Sequence, residues 1–162
     1  RSDFKINNLF FYNSKSDALD IDFSSGQINN LFIIKTGNDG LDISGSDVKA
    51  KNIFLKGIGD KAISAGESSS LDLEGSTISD VNIAIASKDK SNLKASDINI
   101  NNAKIGFTVF QKKEEYGSAK LEIKNLIHNF LKTFYLLEDN SSLKINNEVY
   151  KPNSNNLKSK LY

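Results

Sequence analysis

A five-residue frame, in which two apolar residues alternate with polar ones and an Asn follows, returns along this chain at a nearly constant interval. It reads Phe4-Lys5-Ile6-Asn7-Asn8, Val48-Lys49-Ala50-Lys51-Asn52, Leu121-Glu122-Ile123-Lys124-Asn125 and Leu143-Lys144-Ile145-Asn146-Asn147. Filling the gaps gives the column Asn8, Asn30, Asn52, Gly75, Asp97, Asn125, Asn147, with steps of 22, 22, 23, 22, 28 and 22 residues. The long step contains Gln111-Lys112-Lys113-Glu114-Glu115-Tyr116-Gly117, which reads as a loop inserted near 111–117 into a regular coil. A fixed period of this length is the mark of a stacked repeat architecture, whose units bury an apolar core only together.

Within each unit the apolar period is two, as in half-buried strands. Leu71/Leu73, Leu93/Ala95 and Leu121/Ile123 precede the anchor, and Leu9/Phe11, Leu31/Ile33 and Ile53/Leu55 follow it. A third pair closes most units: Leu19/Ile21, Leu41/Ile43, Ile63/Ala65, Ile83/Ile85 and Ile105/Phe107. Three short strands per 22-residue turn predict an all-β fold, a single-stranded right-handed parallel β-helix of about seven coils. A left-handed hexapeptide helix would repeat at a shorter, more regular interval. The Asn column is expected at a turn, where side-chain amides bond one another from coil to coil.

The helix is assigned to residues 1–150, and the polar, Pro-containing stretch 151–162 to a capping tail. Strand character begins almost at Arg1, and the chain contains no Met, so the sequence reads as an excised segment preceded by further coils or another domain. The net charge of +1 is balanced along the chain, which offers no cationic stripe for nucleic acid. No apolar run is long enough to span a membrane. With no cysteine there is neither a disulfide framework nor a thiolate nucleophile.

The Asn column and coil length resemble the pectate-lyase-like superfamily of β-helices. Asn38-Asp39-Gly40-Leu41-Asp42, Gly59-Asp60-Lys61-Ala62-Ile63-Ser64, Gly66-Glu67-Ser68 and Ser87-Lys88-Asp89-Lys90-Ser91 are similar to β-helix repeats of large bacterial secreted or surface proteins, some of which also carry a spore-coat-kinase-like domain. That resemblance implies an extracytoplasmic setting (extracellular, cell surface or periplasmic) and no particular activity, since the superfamily holds lyases, hydrolases, epimerases, tailspikes and non-enzymatic proteins.

Several constellations are candidates for chemistry. Asn38-Asp39-Gly40 and Gly59-Asp60 resemble the first two polygalacturonase motifs, one coil apart, but Lys61 stands where a second Asp is expected. The Gly-His-Gly and Arg-Ile-Lys motifs are missing: the only histidine is His128, and the only arginine is Arg1. If the chain is an enzyme, a lyase, C5-epimerase or glycoside hydrolase, then Asp39, Asp60 and Lys61 are its catalytic candidates. Inverting hydrolysis needs two carboxyls set apart across a sugar, and turn aspartates are the plainer reading. Asp17, Asp39 and Asp60 read as one acidic column, Asp20/Asp42 as a second and Glu67/Asp89 as a third. Glu67 and Asp89 are weak candidates for a metal, with Ca²⁺ the possible ion and no other cofactor implied. His128 falls in a core-facing column and reads as structural. Asn140-Ser141-Ser142 fits a glycosylation sequon, a match that chance readily supplies.

The most suggestive pattern is aromatic. Phe10, Phe32 and Phe54 recur at one-coil spacing, two residues past the anchor, where alternation directs them outward. Such a ladder serves as a docking surface for another domain of the same protein, or as a stacking platform for polysaccharide. Together these features predict a non-catalytic extracytoplasmic module, a rigid scaffold with a binding surface. A polysaccharide-active enzyme with an incomplete site is the alternative, and a homotrimeric spike fragment is a more distant one.

Overall fold

The computed structural model describes residues 2–162, and Arg1 lies outside the described residues. The chain winds into a parallel β-solenoid of about seven turns. Coil one holds β1 (Ser2–Ser14) and β2 (Leu19–Asp22), coil two β3 (Ser24–Thr36) and β4 (Leu41–Ser44), and coil three β5 (Asp47–Ile58) and β6 (Lys61–Gly66). Coils four, five and six are single bent strands, β7 (Ser70–Lys88), β8 (Asn92–Phe110) and β9 (Lys120–Leu137). β10 (Ser142–Ile145), β11 (Glu148–Tyr150) and the short helix α1 (Leu157–Leu161) complete the chain.

Pairing follows the sequence steps. Ile6 opposes Ile28, Ala50 opposes Leu73, Ala95 opposes Ile123, and Ile123 opposes Ile145, all in parallel register. Each coil therefore presents three walls. Wall one precedes the anchor residue, wall two follows it, and wall three runs through β2, β4, β6 and the ends of β7, β8 and β9. Like residues stack at about 4.8 Å into a central core that includes Ile28, Val48, Leu71, Leu93 and Leu121 from wall one and Leu31, Ile53, Ile78 and Ile100.

The anchor column has a conformational cause. Asn8, Asn30, Asn52, Gly75, Asp97 and Asn125 all adopt positive φ, from 55° to 72°, the left-handed region that Gly, Asn and Asp enter at least cost. Their side chains form the expected ladder: the Asn30 amide donates to Asn8 Oδ1 at 2.8 Å, Asn52 to Asn30 at 3.1 Å, and Asn125 to Asp97 at 3.0 Å. Gly75 supplies the bend but no rung.

A second left-handed corner closes wall two at Asn13, Lys35, Gly57, Asp80, Asn102 and Phe130. Its mixed residue types hid it in the sequence. A serine ladder adds contacts that leave no mark on the hydrophobic pattern. Ser46 Oγ accepts the Ser24 N–H at 2.9 Å, Ser69 Oγ that of Ser46 at 3.1 Å, Ser91 Oγ that of Ser69 at 3.1 Å, and Ser141 Oγ that of Ala119 at 3.2 Å. These hydroxyls satisfy backbone donors at the corner between walls three and one, where strand pairing lapses.

The stack ends in a reversal. Asn146 and Asn147, with φ of 48° and 70°, form a two-residue turn of the kind that favours antiparallel hairpins, and β11 returns antiparallel to β10. Asn147 is thus a hairpin residue rather than a seventh rung. Wall two of coil six has no coil stacked beyond it, which leaves His128 exposed, its ring 5.0 Å from that of Phe134.

Candidate functional site

Two regions contain the residues singled out by the sequence. The first is the outer face of wall three. Asp39 Oδ1 accepts the Lys61 N–H at 2.9 Å, as Asp17 Oδ1 accepts the Asp39 N–H at 2.7 Å. The true column is therefore Asp17, Asp39, Lys61. Asp60 stands one place aside, its N–H donating to the Asn38 carbonyl at 3.2 Å, so the acidic column expected through Asp60 is offset by one residue. The Lys61 ammonium is bonded to Asp60 Oδ2 and lies 3.7 Å from Asp39 Oδ1.

Asp39, Asp60 and Lys61 are thus brought together, but Asp39 and Lys61 lie below the surface and only Asp60 stays partly exposed. Lys61 is 2% exposed and Asp39 4%. Burial pushes the Asp39 carboxyl up to about 6, against the opposing pull of the Lys61 charge and N–H. Burial lowers the Lys61 ammonium, but the charge of Asp39 and the hydrogen bond to Asp60 outweigh it, and its net shift is upward.

The cover is the segment 151–162. Asn153 N–H donates to the Leu137 carbonyl at 3.0 Å, Leu157 N–H to Glu138 Oε1 at 2.7 Å, and the Tyr162 ring lies over Lys112 Nζ at 3.8 Å and Lys61 Nζ at 4.7 Å. These anchors carry the segment along the outside of wall three from coil six back to coil three. Ile83, Ala86, Phe110 and Leu157 are buried without joining the central core. Ile83 and Ile105 share the column of Lys61, so neither takes the inward place assigned from the sequence. Within this layer Asp42 Oδ1, Ser64 Oγ and Thr108 Oγ1 are buried without a hydrogen-bond partner, and Lys88 Nζ lies 4.0 Å from Asp42 Oδ1. Nothing in the period announced this layer, because the segment that creates it lies outside the repeat.

Glu67 and Asp89 sit at one corner in successive coils, both with positive φ. One oxygen of each is engaged: Glu67 Oε1 is bonded to Lys113 Nζ, and Asp89 Oδ1 accepts the Lys112 and Lys113 N–H groups at 2.6 and 2.7 Å. The pair anchors the inserted loop to the wall. Among the described residues no three His, Asp or Glu side chains converge as a metal-ligand set.

The second region is wall two. Phe10, Phe32 and Phe54 are directly opposed across coils. Phe10 is 59% exposed and Phe32 43%, so alternation does send this column outward. The Phe32 and Phe54 rings stand 6.2 Å apart with a 35° tilt. Tyr12 and Ile34 share the same face one step along, and Tyr12 is 62% exposed. Thr77 and Asn99 continue the Phe column and interrupt its apolar part, which returns at exposed Ile127 in coil six. The segment 151–162 lies on wall three and leaves these rings uncovered.

Comparison with protein-family models, with curated proteins and with solved structures finds no match to this chain. No helix is long and apolar enough to cross a membrane. The fold defines the class, a parallel β-solenoid, and function has to be argued from the two regions themselves.

Proposed function

We propose that this chain is a rigid, non-catalytic β-solenoid module of an extracytoplasmic bacterial protein, related to the pectate-lyase-like β-helices, whose wall two binds polysaccharide. The supporting observation is the ring ladder Phe10, Phe32, Phe54, exposed at Phe10 and Phe32 and half-buried at Phe54, with exposed Tyr12 beside it. One ring per coil suits a ligand that itself repeats, and stacked pyranose faces supply one. A partner domain of the same protein is the competing occupant, since exposed apolar strips also serve protein docking.

A second reading, a polysaccharide-active enzyme, is favoured by one observation: the Asp39 carboxyl, pushed up to about 6, lies beside Lys61, and titration near working pH suits a general acid or base. Against it, the Lys61 ammonium is already bonded to Asp60 and set beside Asp39, and the Tyr162 ring lies over it at 4.7 Å.

The test is a panel of neutral and acidic polysaccharides with and without Ca²⁺, scored for binding and for new chain ends. Binding without turnover, abolished by Phe32→Ala with the melting temperature unchanged, is the expected result. New reducing or unsaturated ends that vanish in Asp39→Asn would replace it with the enzyme reading. Absence of all binding would leave the partner domain as the occupant of the rings.

A further inference from the structure

We propose that the outer face of wall one is a second binding groove, for a glycan whose backbone carries cationic and anionic sugars in alternation. The ligand class rests on the polysaccharide reading of wall two, but the surface and its chemistry are separate. Register places Lys49, Asp72, Lys94, Glu122 and Lys144 directly opposite one another in five successive coils. The result is a straight column of charges whose sign reverses at each coil. With coils about 4.8 Å apart, like charges recur at about 10 Å. One sugar of an extended glycan advances by roughly the spacing of one coil, so a disaccharide of one amino sugar and one uronate matches two coils.

The column is available. Lys49, Asp72 and Lys94 are exposed, and among the described residues none of the three makes an ion pair within 4.0 Å. The neighbouring row differs: Lys51 and Glu74 are paired at 2.9 Å. Glu122 is shared between Lys144 at 3.7 Å and Lys124 at 4.0 Å. A cleft of about 540 Å³ runs over this part of the face, lined by Lys49, Asp72, Lys94 and Glu122, with Gln27 and Ser96 to bond sugar hydroxyls. The covering segment 151–162 is anchored on wall three and does not occupy it.

Alternation is also what selects the ligand. A uniform polyanion would gain at the three lysines and be repelled at Asp72 and Glu122, and a uniform polycation would meet the converse. Only an alternating chain in the matching phase satisfies every step. Opposite charges on neighbouring strands also favour pairing of the strands themselves, so the test has to separate folding from binding.

The probe is de-N-acetylated hyaluronan, in which glucosamine and glucuronate alternate, used at mildly acidic pH where both are charged. Hyaluronan, chitosan and a neutral β-glucan run beside it. The expected result is binding of the alternating polymer about tenfold or more tighter than hyaluronan or chitosan, weakened by added salt. Lys94→Glu should reduce that binding at least tenfold and Lys94→Gln less, both with melting temperatures near wild type, while Lys15→Glu, at an exposed lysine off wall one, leaves it unchanged. Equal binding of hyaluronan and the alternating polymer overturns the proposal, as does loss with Phe32→Ala but not Lys94→Glu. Unfolding by both Lys94 variants without any wild-type binding of the alternating polymer assigns the column to strand pairing and overturns it too. Glucan binding through Phe32 alone would sink this groove and leave the wall-two reading standing, whereas no binding of any polymer removes both.

Discussion

Lys61 meets Asp39 twice, once through its backbone N–H at 2.9 Å and once through its ammonium at 3.7 Å, both on the same carboxylate oxygen. The double contact ties adjacent coils together at the base of wall three and keeps two charges out of water. Such a pair contributes little net stability, but removing one partner strands the other. Lys61→Met should therefore destabilise the fold at neutral pH by about 3 kcal/mol, measured by urea denaturation, whereas a double Lys61→Met, Asp39→Asn variant, which keeps an acceptor for the residue-61 N–H, should recover much of that loss.

The pH dependence has a definite sign. Asp39 has its carboxyl raised from 3.8 to about 6 in the fold, so between those values the native state holds a proton that the unfolded chain has lost. Stability from this group is present at low pH and falls as pH rises through that window, by an amount of the order of 3 kcal/mol. Plotted against pH, the stability difference between wild type and Asp39→Asn should slope downward from about 4 to about 6 and be flat beyond. A difference flat throughout would show that Asp39 titrates normally.

Leu157 is fully buried although it lies outside the repeat. Leu157→Ala should cost about 2–3 kcal/mol and should raise amide exchange in α1 before it does so in wall one. Loss of the central core at the same rate would mean that the segment 151–162 and the coils unfold as one unit.

Gly75 breaks the amide ladder while keeping its left-handed corner, at φ 72°. A Cβ there would meet Asn52 Oδ1 at 3.5 Å, an ordinary contact. Gly75→Asn should join the Asn30–Asn52 and Asp97–Asn125 segments and stabilise by about 1 kcal/mol. Gly75→Ala gains no rung and pays the positive φ, so it should destabilise by about 1 kcal/mol. Paired thermal melts decide both.

The inserted loop hangs on Asp89, 1% exposed, through two backbone donors. Asp89→Ala should leave the Lys112 and Lys113 amides unpaired at a cost of about 2 kcal/mol, read as faster exchange confined to 111–117. With Glu67 held by Lys113, Ca²⁺ should leave the melting temperature of the wild type unchanged. A calcium-dependent rise would mean that the ion displaces Lys113.

Much of this molecule was legible because a solenoid writes its tertiary contacts as a period. Stacking each coil on the next obliges residues 22 apart to share an environment, so the columns of Ile28, Ala50 and Leu73, and of Phe10, Phe32 and Phe54, could be read before any coordinate. The αL column was visible where Asn filled it, and the 28-residue step announced the loop. What escaped was whatever broke the period or used mixed residue types. Lys35 and Phe130 take the same left-handed corner as Asn13, and neither has the short polar side chain that signals it. The serine ladder acts between backbone and hydroxyl and leaves no hydrophobic trace. Asp60 and Lys61 exchanged places because an offset of one residue is invisible until hydrogen bonds assign the register. The route of 151–162 back over wall three came only from the folded chain. Leu157, foremost of its few apolar residues, is buried outside the central core, as Ile83, Ala86 and Phe110 are, and no interval along the sequence encodes that second layer.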